Sequence, residues 1–195
     1  YSKKSSIKFD GEEILKAGKN SLRKIRGNKI AMIFQEPMTS LNPYHKVGHQ
    51  IVESILLHKK QSKSEAVREA KKLMELVEIT EVDRRFTSYP HQLSGGQRQR
   101  IMIAIALANK PKLLIADEPT TALDVTVQAQ ILDLMIKLKN EVGMSILFIT
   151  HDLGLIQKFS DTITVMQDGM VVEQGNTKSV FLNPKHRYTK KLINS

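Results

Sequence analysis

The chain contains no cysteine, and this absence excludes both a disulfide framework and a metal site built on thiolates. Its apolar runs are short, and none approaches the ~18 residues of a membrane-spanning helix. The N-terminal stretch YSKKSSIKFD lacks the apolar segment of a signal peptide. These absences predict a soluble or peripheral protein and are compatible with a reducing compartment.

Composition and charge narrow the protein class without selecting one. The chain is 41% hydrophobic and 26% charged, which allows a buried core and is typical of one soluble α/β domain. Its net charge of +10 suits a phosphate ligand, an acidic membrane surface or nucleic acid. The basic residues are scattered along the chain, so a plain solvated surface is an equal alternative.

Three short apolar runs are predicted to be buried strands, and helical patterns separate them. The runs are residues 30–34, 113–117 and 145–150. This alternation favours a mainly parallel sheet covered on both faces. Turns at Asp10-Gly11 and Asp168-Gly169 predict antiparallel hairpins near either end of the chain.

Each of these runs is followed by polar residues that are capable of chemistry. Gln35 follows the first, Asp117 and Glu118 end the second, and His151 follows the third. Ligands of open α/β sheets bind at the carboxyl ends of the strands, so the order of the chain predicts one site. Neighbouring carboxylates repel unless a cation or hydrogen bonds hold them, and Mg²⁺ prefers carboxylate and phosphate oxygens. Taken singly, each residue has a purely structural alternative.

The stretch HQLSGGQRQR, residues 91–100, is predicted to open a helix. Ser94 can cap it, and Gly95 and Gly96 allow a group to approach the exposed N–H groups. The positive end of a helix disfavours Arg98 and Arg100 unless an anion offsets them, and phosphate is the natural candidate. A flexible turn with solvated arginines is the alternative.

Five motifs in register resemble those of the ABC-type ATPases, in the family's order and over nearly the whole chain. They are the signature LSGGQ (Leu93–Gln97), the Walker B strand LLIADEP (Leu113–Pro119), the D-loop TALD (Thr121–Asp124), the Q-loop Gln35 and the switch histidine His151.

Two further segments narrow the resemblance to a subclass. MIFQEPMTSLNP (Met32–Pro43) and NPKHRYTKKL (Asn183–Leu192) are similar to ATP-binding subunits of bacterial importers for oligopeptides, dipeptides or nickel. The resemblance implies an α/β, P-loop NTPase-like core with a mainly parallel sheet, a helical signature subdomain and peripheral antiparallel hairpins. It further implies one ABC ATP-binding domain over residues 1–195, with the helical signature lobe at 44–108.

The resemblance also implies ATP and Mg²⁺ as ligands. It assigns roles to the residues that would hold Mg²⁺ and activate the attacking water. Asp117 would hold Mg²⁺, joined by Gln35. Glu118 would be the general base for the attacking water, and His151 would contact the γ-phosphate. The chemistry would be phosphoryl transfer to water.

The remaining roles lie across a dimer interface. In the family pattern Ser94, Gly95, Gly96 and Gln97 would grip the γ-phosphate of ATP bound to the opposite subunit. Asp124 would link the two sites. The functional unit implied is a head-to-tail dimer with an identical or related ATPase.

One part of the family pattern is missing from the chain. The Walker A loop, G-x-x-x-x-G-K-[ST], should precede the Q-loop strand. The nearest stretch, AGKNS, has Asn20 where Ser or Thr is required and Glu13 where the first glycine belongs. We expect the loop to lie upstream of Tyr1, in a segment lost by truncation, and the chain to bind ATP poorly by itself.

The partners implied are transmembrane permease subunits and, indirectly, an extracytoplasmic substrate-binding protein, with the chain on the cytoplasmic face of the cell membrane. One alternative is a soluble ABC ATPase acting on nucleic acid, but residues 36–92 are too few for a long coiled-coil insertion. Another is a non-catalytic regulatory subunit, which the missing loop suggests and the retained Glu118, His151 and signature oppose. We expect a transporter and no nucleic-acid partner; the cargo stays open.

Overall fold

The computed structural model describes residues 5–35, 40–121, 123–157 and 159–193. The chain divides into two compact units, residues 1–149 and 150–195. The single domain over 1–195 and the lobe at 44–108 stay predictions. Part of the loop predicted at residues 36–44 lies outside the described residues, namely positions 36–39.

The first unit is built on a three-stranded parallel sheet, as the sequence predicts. Its strands are β3 (Ile30–Ile33), β4 (Leu113–Asp117) and β5 (Ser145–Ile149), with β4 in the centre. Since all three run the same way, their carboxyl ends meet at one edge, where Gln35 and Glu118 follow.

A short hairpin precedes this sheet. Strands β1 (Lys8–Phe9) and β2 (Glu12–Glu13) pair antiparallel. Asp10 and Gly11 make the turn with φ angles of 50° and 82°, the left-handed geometry that a tight hairpin requires. The hairpin predicted at Asp10-Gly11 is therefore confirmed.

Only one face of the parallel sheet is buried. Ile33 and Leu114 point to that face and are 1% and 0% exposed. On the other face Met32, Leu147 and Ile149 are 40%, 51% and 44% exposed. Successive strand side chains alternate between faces, so burial on one side leaves every second residue bare. The prediction of a sheet covered on both faces is wrong for the described part of the chain.

Helices make up most of the rest of the first unit. They are α1 (Lys19–Ile25), α2 (Val47–His58), α3 (Lys63–Leu76), α4 (Val82–Phe86), α5 (Gly95–Leu107) and α6 (Val125–Val142), with a 3₁₀ turn at Pro90–Gln92. The sequence predicts the long helices, but α1 was missed because its seven residues are mostly polar and bury only Ile25.

The start of α3 shows how the sequence sets a helix boundary. The Ser62 hydroxyl accepts from the Glu65 N–H, and the Glu65 carboxylate accepts from the Ser62 N–H at 2.8 Å. This reciprocal capping satisfies donors that a helix start otherwise leaves unpaired. The spacing of Ser62 and Glu65 in the sequence predicts this capping box, and the structure confirms it.

The second unit consists of a hairpin and short helices. Strands β6 (Thr162–Gln167) and β7 (Met170–Asn176) pair antiparallel around the predicted turn at Asp168-Gly169. The helices are α7 (Leu153–Ile156), α8 (Thr177–Leu182) and α9 (Arg187–Ile193). The break between α8 and α9 contains Pro184, as predicted. In the described chain, no helix combines the length and apolarity that crossing a membrane requires.

Replacing Ile55 by alanine should destabilise the first unit strongly. Ile55 is 0% exposed in α2, so truncation removes buried surface and opens a cavity, which costs roughly 2–5 kcal/mol. Leu57→Ala on the same helix is the matched control, because Leu57 is 68% exposed. Urea denaturation measures both free energies of unfolding. Equal losses for the two variants would contradict the assigned burial.

Candidate functional site

Glu118 is held by two side chains from different parts of the first unit. The Gln35 amide donates from Nε2 to Glu118 Oε2 at 3.0 Å. The Thr121 hydroxyl donates to the same oxygen at 2.9 Å. Gln35 follows β3 and Glu118 follows β4, so neighbouring parallel strands bring them together. The predicted meeting of these two strand ends is confirmed in geometry.

The backbone at Glu118 is equally constrained. Its N–H donates to the carbonyl of Ile149, the last residue of β5, at 2.9 Å. Its φ angle is 44°, a left-handed value that is uncommon for a residue with a side chain. Such conformations persist where neighbouring contacts over-determine them, and they cluster at functional sites. The carboxylate is therefore aimed by the turn after β4 as well as by its hydrogen bonds.

The donor set beside Glu118 fits a magnesium ion. Because the Gln35 nitrogen donates to Glu118, its amide oxygen Oε1 is the atom able to face a cation. Asp117 ends β4 and is only partly buried. Mg²⁺ prefers one or two such oxygen ligands completed by phosphate and water. In the described chain no three histidine, cysteine or acidic side chains are grouped so as to hold a metal. An ion here would thus depend on a phosphate ligand.

Thr121 is a residue of this cluster that sequence reasoning missed. Its N–H also donates to the Glu118 carbonyl, at 3.1 Å. The signal was present, since a threonine three residues after an acid can close such a turn. The motifs alone do not identify Thr121 as a site residue, because it appears in them only as the first residue of TALD.

The signature stretch begins α5 with a second capping box. The Ser94 hydroxyl accepts from the Gln97 N–H at 3.2 Å, and Gln97 Oε1 accepts from the Ser94 N–H at 3.1 Å. The predicted cap at Ser94 is confirmed. Gly95, Gly96 and Gln97 are partly exposed, and Ser94 is exposed. The first turn of α5 therefore presents its polar end at the surface of the chain.

The two arginines after the signature do not require an external anion, contrary to the sequence argument. Arg98 donates to the carbonyl of Leu93 at 2.7 Å. Arg100 donates to the carbonyl of Val77 at 3.0 Å and to the Glu78 carboxylate at 2.9 Å. Both guanidinium groups therefore have hydrogen-bond acceptors inside the chain, namely carbonyl oxygens and one carboxylate. Only residues Ser94–Gln97 therefore support phosphate binding at this helix start.

Asp124 caps the next helix. Its Oδ1 accepts from the Val127 N–H at 2.9 Å, so the D-loop aspartate is the N-cap of α6. Gln128, one turn into that helix, donates to the carbonyls of Thr120 and Leu123 at 3.2 Å and 3.1 Å. The D-loop backbone is thereby tied to α6.

His151 belongs to the second unit. It is exposed and comes two residues after the end of β5. The next residue, Asp152, donates its N–H to the Thr150 hydroxyl at 3.0 Å and caps α7. The grouping of His151 with the Glu118 cluster stays a prediction.

Residues 17–21, the nearest approach to a Walker A loop, do not have that structure. They lie at the start of α1, whose cap Gly18 has an extended backbone with φ −66° and ψ 159°. The preceding strand β2 belongs to the antiparallel hairpin and not to the parallel sheet. The stretch is thus no phosphate loop.

Comparison with known proteins gives a consistent picture. The model of the ABC transporter family matches residues 1–121. The chain is 57% identical over 187 residues to the peptidoglycan transport ATP-binding protein YejF of Agrobacterium fabrum, covering 96% of this chain and 34% of that protein. It is 50% identical over 195 residues to the oligopeptide transport ATP-binding protein OppD of Bacillus subtilis, covering 100% and 54%. The chain therefore spans between a third and just over half of these relatives.

Solved structures match the fold as well. The ATP-binding cassette MJ0796, a dimer bound to ADP and phosphate after hydrolysis, superposes with a TM-score of 0.76 at 32% identity, covering 87% of this chain and 72% of that one. CbiO1 of Clostridium perfringens, part of a cbiONQ transporter complex, gives 0.78 at 29% identity, covering 89% and 66%. The predicted α/β fold is confirmed.

Removing the charge of Glu78 should destabilise the chain in a pH-dependent way. The hydrogen bond from Arg100 lowers the pKa of Glu78 from its ordinary value of 4.5; partial burial opposes the shift, and Lys137 adds to it. A pKa lowered in the folded state means that the stabilisation is present above about pH 4.5 and is lost as the pH falls through the lowered pKa. Because the Glu78 side chain is 49% exposed, we expect Glu78→Gln to cost at most about 1 kcal/mol at pH 7.

Urea unfolding at neutral pH and near pH 3 measures this difference. Glu75→Gln is the control, because Glu75 is an exposed glutamate in the last turn of α3, which ends just before Glu78. A Glu78→Gln deficit that is as large near pH 3 as at neutral pH would show that the ion pair with Arg100 is not its cause.

Proposed function

Because the chain belongs to the ABC transporter family, we propose that it is part of the ATP-hydrolysing subunit of a membrane transporter that imports peptides. The observation that carries this proposal is the Glu118 carboxylate held by Gln35 and Thr121 beside Asp117, together with an intact, capped signature at Ser94–Gln97. Relatives named for peptide or oligopeptide transport support the cargo class.

The proposed chemistry is transfer of the γ-phosphoryl group of ATP to water. Glu118 orients the water and accepts its proton as the new O–P bond forms and the bond to the leaving ADP oxygen breaks. Gln35 and Thr121 fix the carboxylate so that no reorientation is needed at that moment. Mg²⁺, held by Asp117 and Gln35 when bound, supplies positive charge to the phosphate oxygens. The role proposed for His151 is that it would contact the γ-phosphate.

The proposed site is completed by a second ATPase subunit. Ser94–Gln97 would bind the γ-phosphate of ATP held by the partner, and Asp124 would lie at the interface. The backbone donors would be the N–H groups of Gly95 and Gly96, because those of Ser94 and Gln97 donate within the cap. The dimeric state of MJ0796 bound to ADP and phosphate supports a head-to-tail pair. Permease subunits would dock on the helical lobe at the cytoplasmic face of the membrane, and a substrate-binding protein would act through them.

The chain by itself should bind MgATP weakly, because its 195 residues include no Walker A loop. Titration of the chain and of Glu118→Gln, which suppresses turnover, should give no saturable binding. A micromolar affinity in either protein would contradict this division of the site between subunits.

Mixing the chain with a longer relative that is named for ATP binding tests the function directly. The partner is the oligopeptide transport ATP-binding protein of Bacillus subtilis, to which the chain is 50% identical. We expect the chain to raise the partner's ATPase rate, because the chain's signature would complete the site in which the partner holds ATP. Ser94→Asp should lower the stimulated rate on the order of 100-fold, since it puts a negative charge where the phosphate binds.

Ser64→Asp is the matched control. Ser64 is an exposed serine in the first turn of α3, outside the proposed site, and should leave the stimulation intact. Absence of stimulation by the wild-type chain, or full stimulation by Ser94→Asp, would overturn the proposal.

A further inference from the structure

The start of the signature helix is in direct contact with the start of α6. A Cβ built on Gly96 would lie 2.8 Å from Cγ1 of Val127 and 3.9 Å from its Cγ2. A Cβ on Gly95 would lie 3.3 Å from Cδ2 of Leu123. Unbonded carbon atoms do not approach as closely as 2.8 Å. Position 96 therefore accepts only glycine unless Val127 or the helix moves.

Val127 also fixes the D-loop. Its N–H is the donor that the Asp124 carboxylate accepts at 2.9 Å. Its side chain is partly buried against the main core. One residue thus holds Asp124 through its backbone and the signature turn through its methyl groups.

We propose that Val127 is a positioning residue that sets the distance between the signature turn and the Asp124 segment, and that position 96 is glycine because of this contact. The positioning role of Val127 rests on the proposed function. The packing contact that requires glycine at position 96 does not. The rival explanation is that Gly96 lacks a side chain solely to admit the phosphate. The two explanations differ in whether shortening Val127 rescues a side chain at position 96.

The contact can first be tested by a thiol pair, in a chain that has no cysteine of its own. A Cβ on residue 96 lies 4.0 Å from the Val127 Cβ. This is within the ~3.5–4.5 Å that disulfides require. Gly96→Cys/Val127→Cys should therefore form an intramolecular disulfide on mild oxidation, and Gly96→Cys/Thr126→Cys should not. Equal, poor cross-linking of both pairs would overturn the proposal.

Thermal unfolding gives a second test, in which the direction of the Tm change decides between the explanations. Alanine is a better helix former than glycine, so without the contact Gly96→Ala would raise Tm. With the contact it should lower Tm, and the same change in a Val127→Ala background should raise it. A higher Tm for Gly96→Ala alone would contradict the proposal.

The positioning role is tested by rescue of the partner-stimulated ATPase, assayed below the lowest Tm of the set. Gly96→Ala should reduce the stimulated rate on the order of tenfold or more, since displacements of about 1 Å can cost up to 100-fold. Gly96→Ala/Val127→Ala should recover to near the rate of Val127→Ala. Val142→Ala, a partly buried valine at the other end of α6, is the control for methyl loss and should stimulate normally.

A double variant as impaired as Gly96→Ala would overturn the positioning role in favour of phosphate access. Absence of stimulation by the wild-type chain would overturn the proposed function and the positioning role together. The disulfide and the Tm pattern would still be obtained in that case, so the two failures are distinguishable.

Discussion

The pair of hydrogen bonds accepted by Glu118 Oε2 is the interaction on which the rest of the site depends. One donor, Gln35, is supplied by β3, and the other, Thr121, by the turn after β4. The Ile149 carbonyl on β5 holds the Glu118 backbone in a left-handed conformation. All three strands of the parallel sheet therefore contribute to aiming one carboxylate. Its neighbour Asp117 would repel it, and the two donors offset that repulsion.

The signature side relies on a different kind of support. Its first turn is held by the reciprocal cap between Ser94 and Gln97 and by Arg98 on the Leu93 carbonyl. Further along α5, Arg100 reaches the end of α3 through Glu78, whose own φ is 60°. The arginines thus anchor the helix within the chain. Because the Ser94 and Gln97 N–H groups donate within the cap, the N–H groups of Gly95 and Gly96 are what the helix offers to a ligand.

The sequence predicted the features that depend on local pattern. The parallel strands, the caps at Ser62 and Ser94 and the turn at Asp10-Gly11 follow from residue types at fixed spacing. The exposed face around Leu147 could not be foreseen, because an apolar run has the same pattern whether one or both of its faces are covered. The sequence argument for Arg98 and Arg100 was wrong because their hydrogen bonds to backbone carbonyls and to Glu78 depend on the fold and cannot be seen in the sequence. Thr121 needed the observed turn to be recognised.

The contacts of the segment after β4 join the Glu118 cluster to the signature turn within the first unit. Thr121 donates to Glu118, and Gln128 fixes the backbone on either side of it by bonding the carbonyls of Thr120 and Leu123. Asp124 and Val127 then continue this series of contacts to Gly96. Coupling between sites needs such contiguous, closely packed contacts, because a loose loop would absorb a displacement. On the proposed function, a shift of the signature turn against a partner's phosphate would therefore reach the segment that holds the Glu118 carboxylate, and the glycine at position 96 makes that contact direct.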